Sequence, residues 1–142
     1  NRTFLAGLNG GALADPRVKV LVDDVRFVIR RAAAKPYDVI ALDIDNGTTA
    51  MVKEENHQLY SEWGMQQIAL ALKPGGRAAV WSACPDVVIE RRLSKAGLKV
   101  QAVPAKLYAQ AKRSAYMIYV ADKPLEPAEP KAAGRSSNRA RT

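Results

Sequence analysis

Apolar and polar positions fall into blocks along this chain, and the blocks change period. Val18-Lys19-Val20-Leu21-Val22 is a short apolar run ending at Asp23-Asp24, the pattern of a strand. Val25 to Ala34 predicts a helix, with Phe27, Val28 and Ile29 on its apolar side, Arg26, Arg30 and Arg31 turned outward, and Asp24 as N-cap. Val39 to Leu42 predicts a second strand. Asn56 to Leu72 predicts a helix with an apolar stripe of Leu59, Trp63, Ile68 and Leu72, closed by Pro74-Gly75-Gly76. Ala78 to Trp81 predicts a third strand, and Asp86 to Lys95 a helix stopped by Gly97. Val100 to Val103 and Tyr116 to Val120 predict the last two strands. No helix-length segment separates them, so they are expected to pair antiparallel.

The expected fold class is therefore α/β, a partial doubly wound, Rossmann-like sheet ending in an antiparallel hairpin. Two further segments are expected to be peripheral. Asn1 to Leu8 reads as the last turns of a helix, stopped by Asn9-Gly10-Gly11. From Pro124 to Thr142 the chain turns to Pro, Glu, Ala, Ser and Arg, a composition that cannot bury enough apolar surface to order itself. The expected division is one domain over residues 1–123 and a disordered basic tail over 124–142.

Composition narrows the chemistry. The chain has 142 residues, 48% of them hydrophobic, which is enough for one domain with a core. No apolar run approaches the ~20 residues of a membrane span, and no leader pattern is visible, so a cytoplasmic location is the expectation. Cys84 is the lone cysteine and His57 the lone histidine. No internal disulfide can form, and neither a Cys/His zinc site nor a histidine-based triad is expected. The net charge of +8 raises nucleic acid as a partner. The charge is diffuse, and an ordinary solvated basic surface explains it better.

The candidate chemistry lies where the second strand stops. In Tyr37-Asp38-Val39-Ile40-Ala41-Leu42-Asp43-Ile44-Asp45-Asn46-Gly47 an apolar run ends in carboxylates, an amide and a glycine. A parallel strand in an open α/β sheet delivers polar groups to a ligand crevice in this way. Tyr60 and Trp63 are expected in the core or lining a groove, His57 exposed in the first turn of its helix, and Cys84 buried as a small hydrophobe.

These residues resemble the spermidine synthase-like proteins, which share the S-adenosylmethionine-dependent methyltransferase fold. That fold closes with an antiparallel last strand. The resemblance is carried by Asp15-Pro16-Arg17-Val18, Asp23-Asp24-Val25, Tyr37-Asp38-Val39-Ile40 leading to Asp43, Leu59-Tyr60, and Ala71-Leu72-Lys73-Pro74-Gly75-Gly76. It covers roughly residues 1–123. It implies aminopropyl transfer from decarboxylated S-adenosylmethionine, a co-substrate, to a small-molecule amine, with no metal. Homo-oligomers are common in the family. Asp24 and Val25 take the adenine-binding position, although Asp23 stands where glycine is usual. Asp43 takes the position that holds the attacking amine and accepts its proton. Asp45 and Asn46 would contact the acceptor. Asn46-Gly47 departs from an acidic residue followed by proline, and Trp81-Ser82-Ala83-Cys84 stands where glutamine is usual.

The resemblance puts the fold's first strand, its acidic-Gly-x-Gly loop and its ribose-binding acid before the helix that Asn1 to Leu8 is expected to finish, and Gly10-Gly11, which follows a helix, is no substitute. The chain by itself is expected to bind nucleosides poorly and to be inactive. Two alternatives stand beside aminopropyl transfer. One is a methyltransferase using S-adenosylmethionine itself. The other is a non-catalytic remnant that binds a protein partner or nucleic acid through open apolar edges.

Overall fold

The computed structural model describes residues 7–8, 10–44, 57–106, 110 and 116–125. The described elements are α1 (Val25–Ala32), β1 (Tyr37–Leu42), α2 (His57–Tyr60), α3 (Glu62–Leu70), β2 (Leu72–Ser82), α4 (Val87–Lys95), β3 (Lys99–Ala105) and β4 (Tyr116–Asp122). The strands form one four-stranded sheet in the order β1-β2-β4-β3. β1 and β2 are parallel, with Leu42 opposite Val80. β4 runs antiparallel to both β2 and β3. The expected α/β architecture and its closing antiparallel pair are present.

The two-residue period of the strands assigns their faces. Ile40 and Leu42, Ala78 and Val80, and Tyr119 and Ala121 point to one side and are buried. Ile29 of α1, Met65 and Ile68 of α3, and Ile89 and Leu93 of α4 complete that core. Arg92 donates to the Tyr60 carbonyl at 2.8 Å and Lys95 pairs with Glu62 at 2.7 Å, which ties α4 to α2 and α3. On the opposite side lie Val39 and Ala41, Ala79 and Trp81, Ile118 and Val120. Each is exposed or only half-buried, and no described helix covers them.

Glycine explains how β2 enters the sheet. Gly75 has a φ of 76°, and its N–H donates to the Lys123 carbonyl at 3.0 Å. A Cβ on Gly76 would meet the Lys73 carbonyl oxygen at 2.8 Å and that of Asp38 at 3.1 Å. The Pro-Gly-Gly turn therefore lets β2 pass close to the amino end of β1. The Lys123 ammonium donates to the carbonyls of Ala69 and Leu72, closing the end of α3.

Several expectations are corrected. Val18 to Val22 forms no strand, and Val22 is 99% exposed. A strand needs a neighbour for its N–H and C=O groups, and none of the described residues supplies one. The expected single helix over 56–72 breaks at Ser61, whose hydroxyl caps α3 by accepting from the Gly64 N–H at 3.0 Å. β2 begins at Leu72 instead of Ala78, because Tyr37 pairs with Leu72. Of the two aromatics expected in the core or lining a groove, Tyr60 is buried and Trp63, 49% exposed, lies outside the core. Cys84 is an exposed free thiol instead of a buried hydrophobe, since it lies just past the end of β2. His57 is exposed at the start of α2, as expected. The expected helix over residues 1–8 lies mostly outside the described residues, as do Asp45, Asn46 and the tail from 126 onward.

Candidate functional site

Strand directions bring the carboxyl ends of β1, β2 and β3 and the amino end of β4 to one rim of the sheet. Asp43 follows β1 at this rim and is exposed. No ion pair among the described residues involves it. Leu42 faces the core opposite Val80; Trp81, next in β2, stands on the uncovered side of the sheet, and Asp43 is the first residue past β1.

Trp81 and Tyr116 meet on that same side. Trp81 lies opposite Ile118, which makes Tyr116 its diagonal cross-strand neighbour. Their ring centroids are 5.2 Å apart with planes inclined at 47°. Both rings are half-buried, so one surface of the pair remains accessible. Sequence reasoning placed Trp81 as a departure from a family pattern. It did not find Tyr116, whose role depends on strand register.

Behind the rim the backbone is fixed. The buried Ser82 hydroxyl donates to the Cys84 carbonyl at 2.8 Å, which shapes the turn leaving β2. Asp86 caps α4 by accepting from the Val88 N–H at 2.9 Å. The Asp86 N–H in turn donates to the Tyr119 hydroxyl. Burial raises the Tyr119 pKa above its ordinary value, because the phenolate would be poorly solvated there.

Asp24 and Val25 open α1, which lies along β1. α1 runs back along β1: its start, at Val25, lies beside the segment up to Leu42, and its far end, at Ala32, lies beside Tyr37 and Asp38. Asp24 caps α1 by accepting from the Arg26 N–H at 2.9 Å, and its carboxylate also pairs with the Arg26 guanidinium at 2.6 Å. Arg26 further donates to Gln58 at 3.0 Å, linking α1 to α2. Val25 thus shares a surface groove with β1, the strand that Asp43 follows. Asp45 and Asn46 fall outside the described residues.

An open cleft of about 470 Å³ lies at the other end of β1, between Leu21, Val28 and Ala32 on one side and Tyr37, Asp38 and Lys73 on the other. It holds no part of the chemistry expected from the sequence. Among the described residues no group of three or more His, Cys, Asp or Glu is placed to hold a metal ion, and no helix is long and apolar enough to cross a membrane.

Comparison with known proteins agrees with this architecture. No protein-family model matches the chain. Polyamine aminopropyltransferases from Mycobacterium tuberculosis and Mycobacterium bovis are 35% identical to it over 86 residues. The match takes in 59% of this chain and 16% of the length of those relatives. The crystal structure of spermidine synthase from Thermotoga maritima superposes with a TM-score of 0.62 at 22% identity, covering 88% of this chain and 41% of the synthase. The class is thereby defined as an α/β chain of the methyltransferase-type fold with an open sheet. Within that class, the chain is similar to spermidine synthase and to polyamine aminopropyltransferases over part of their length.

Proposed function

We propose that this chain forms the acceptor-side wall of an aminopropyl transfer site, with decarboxylated S-adenosylmethionine as donor and a small-molecule amine as acceptor. The supporting observation is Asp43, an exposed carboxylate just past β1 at the rim shared by all four strands. It stands in a chain 35% identical to aminopropyltransferases over the matched stretch.

An amine attacking the carbon beside a sulfonium must lose a proton. With an ordinary ammonium pKa of ~10, little free amine exists near neutrality. In this reading Asp43 accepts a hydrogen bond from the ammonium, aims its nitrogen at the aminopropyl carbon, and takes one proton as the C–N bond forms. The carbon–sulfur bond breaks as the new bond forms, and the electron pair stays on sulfur as a neutral thioether. Alignment supplies most of the rate, because the sulfonium is already a good leaving group. Asp24 and Val25 would face the adenine across the rim. The Asp24 carboxylate is already engaged by Arg26. The Val25 N–H, in the first turn of α1, is therefore the better-placed donor. Asp45 and Asn46 would contact the rest of the acceptor.

Calorimetric titration of the whole protein that carries this chain with the two sulfonium nucleosides, joined to mass analysis of the amine product, tests this reading. The expected result is preference for the decarboxylated form and an amine heavier by one aminopropyl group. Preference for S-adenosylmethionine, with a methylated product, would establish the methyltransferase alternative.

A second reading is favoured by the uncovered side of the sheet and the exposed Val20, Leu21, Val22 and Val39. In it, the chain completes its sheet by association with another polypeptide. Binding of neither nucleoside, together with a stable complex, would support that reading instead.

A further inference from the structure

Trp81 is the last residue but one of β2, and Tyr116 is the first of β4. Antiparallel pairing brings both side chains to the rim, with ring centroids 5.2 Å apart and each ring half-buried. Ring faces carry a negative π-cloud and apolar area. The angle between the planes narrows what they can hold. Rings inclined at 47° cannot both stack on one flat base. A compact cation needs no common plane, and it can lie within ~6 Å of both centroids at once.

The described part of the chain does not fill this place itself. Among the described residues, the side-chain cation over a ring is Arg30, on Phe27 of α1. Lys106, which follows the Ala105 opposite Tyr116, is exposed and lies over neither ring. We propose that the Trp81–Tyr116 pair binds a compact organic cation, an ammonium or a sulfonium, through its ring faces. The inference rests on the transfer reading of this rim and adds two positioning residues to it. Both reactants in that reading are such cations, since the acceptor arrives as an ammonium and the donor carries a sulfonium. Attraction to a ring uses no N–H, so it holds the charge without competing for the proton that the reaction must remove.

Choline and its uncharged carbon isostere, 3,3-dimethylbutan-1-ol, separate charge from shape, and neither carries an N–H. In ligand-observed NMR titrations of the whole protein that carries this chain, choline should bind about fivefold more tightly than the isostere. Trimethylsulfonium should match choline. Trp81→Leu and Tyr116→Leu should each remove most of that ratio, and Tyr116→Phe, which keeps a ring face, should retain it. The ratio is not mimicked by unfolding, which would release both probes alike.

Equal binding of choline and the isostere overturns the inference, because the pair would then be an apolar contact only. A ratio that both leucine variants leave unchanged overturns it, as does binding of neither probe. Competition identifies the source of the cation. Displacement of choline by decarboxylated S-adenosylmethionine puts the donor's sulfonium on the rings, and displacement by 1,4-diaminobutane puts the acceptor's ammonium there. A charge preference that depends on Trp81 and Tyr116, in a protein that binds neither sulfonium nucleoside, leaves this inference standing and removes aminopropyl transfer. Nucleoside binding without charge preference does the reverse.

Discussion

The Tyr119 hydroxyl accepts a hydrogen bond from the backbone N–H of Asp86. One bond thus joins the middle of the last strand to the residue that caps α4, directly behind the candidate rim. Tyr119→Phe removes the acceptor and leaves the Asp86 N–H without that partner. The expected loss is about 1 kcal/mol of stability, measured by urea unfolding.

The same residue gives an alkaline signature. The Tyr119 pKa is raised in the folded chain, first by burial, above an ordinary 10.0. A raised folded pKa means that the stability of the neutral form is fully present below pH ~10. It is lost as pH rises through the folded value. Unfolding curves from pH 8 to 11 should show a falling midpoint, and Tyr119→Phe should flatten that fall. An equal fall in both proteins would show that other groups control it.

Acid acts on the exposed pairs. Hydrogen bonding to Lys73, Arg77 and Lys95 holds Asp38, Asp122 and Glu62 below their ordinary pKa values. A depressed folded pKa gives stability present above the unfolded pKa of about 4 and lost as pH falls through the folded value. The midpoint of thermal unfolding should drop below pH 4. The drop should shrink in 1 M salt, because solvent-exposed pairs are screened.

Gly64 is predicted to be intolerant of any side chain. Its Cβ would sit 2.1 Å from the Leu59 carbonyl oxygen and 2.4 Å from that of Gln58. Gly64→Ala must push α2 away from α3, in a region where Leu59, Tyr60 and Met65 are buried. The expected cost is about 3 kcal/mol or more, visible as a lowered melting temperature. Gly97→Asn, by contrast, meets open space at a φ of 86° and should cost about 1 kcal/mol at most.

The open edge of the sheet makes a further prediction. Val39 lies on edge strand β1 and is 63% exposed. Val39→Lys places a charge where another chain would pair or pack. Sedimentation velocity should show less self-association than the parent chain at equal concentration. An unchanged distribution would mean that association uses another surface.

Much of this arrangement was legible in the sequence, for identifiable reasons. The run from Val39 to Leu42 is apolar on both faces and stops at a charge, which suits a strand and little else. Asp24 and Asp86 were readable as helix starts because short acids before apolar turns satisfy orphan N–H groups. Val18 to Val22 has the same local pattern as β1 and yet forms no strand. Strand propensity is expressed only through a partner, and partners are not written locally. Ser61 hid its helix break inside an apolar stripe that runs continuously past it. The signal was present as Ser61 followed by Glu62, a cap and a first-turn acid. The pairing of Trp81 with Tyr116 joins residues far apart in sequence, and only the register of β2 against β4 reveals it.

The two ends of the sheet have divided the labour between them. At the amino end of β1, Lys73 grips Asp38, Arg77 grips Asp122, and the main chains of Gly75, Gly76 and Lys123 are bonded together. At the rim, no ion pair among the described residues holds Asp43, Trp81, Cys84 or Tyr116. The rim can therefore be rewritten without unfastening the base. A library randomised at Trp81, Cys84 and Tyr116 should return mostly folded members, which makes this chain a scaffold whose ligand preference can drift while its architecture stays put.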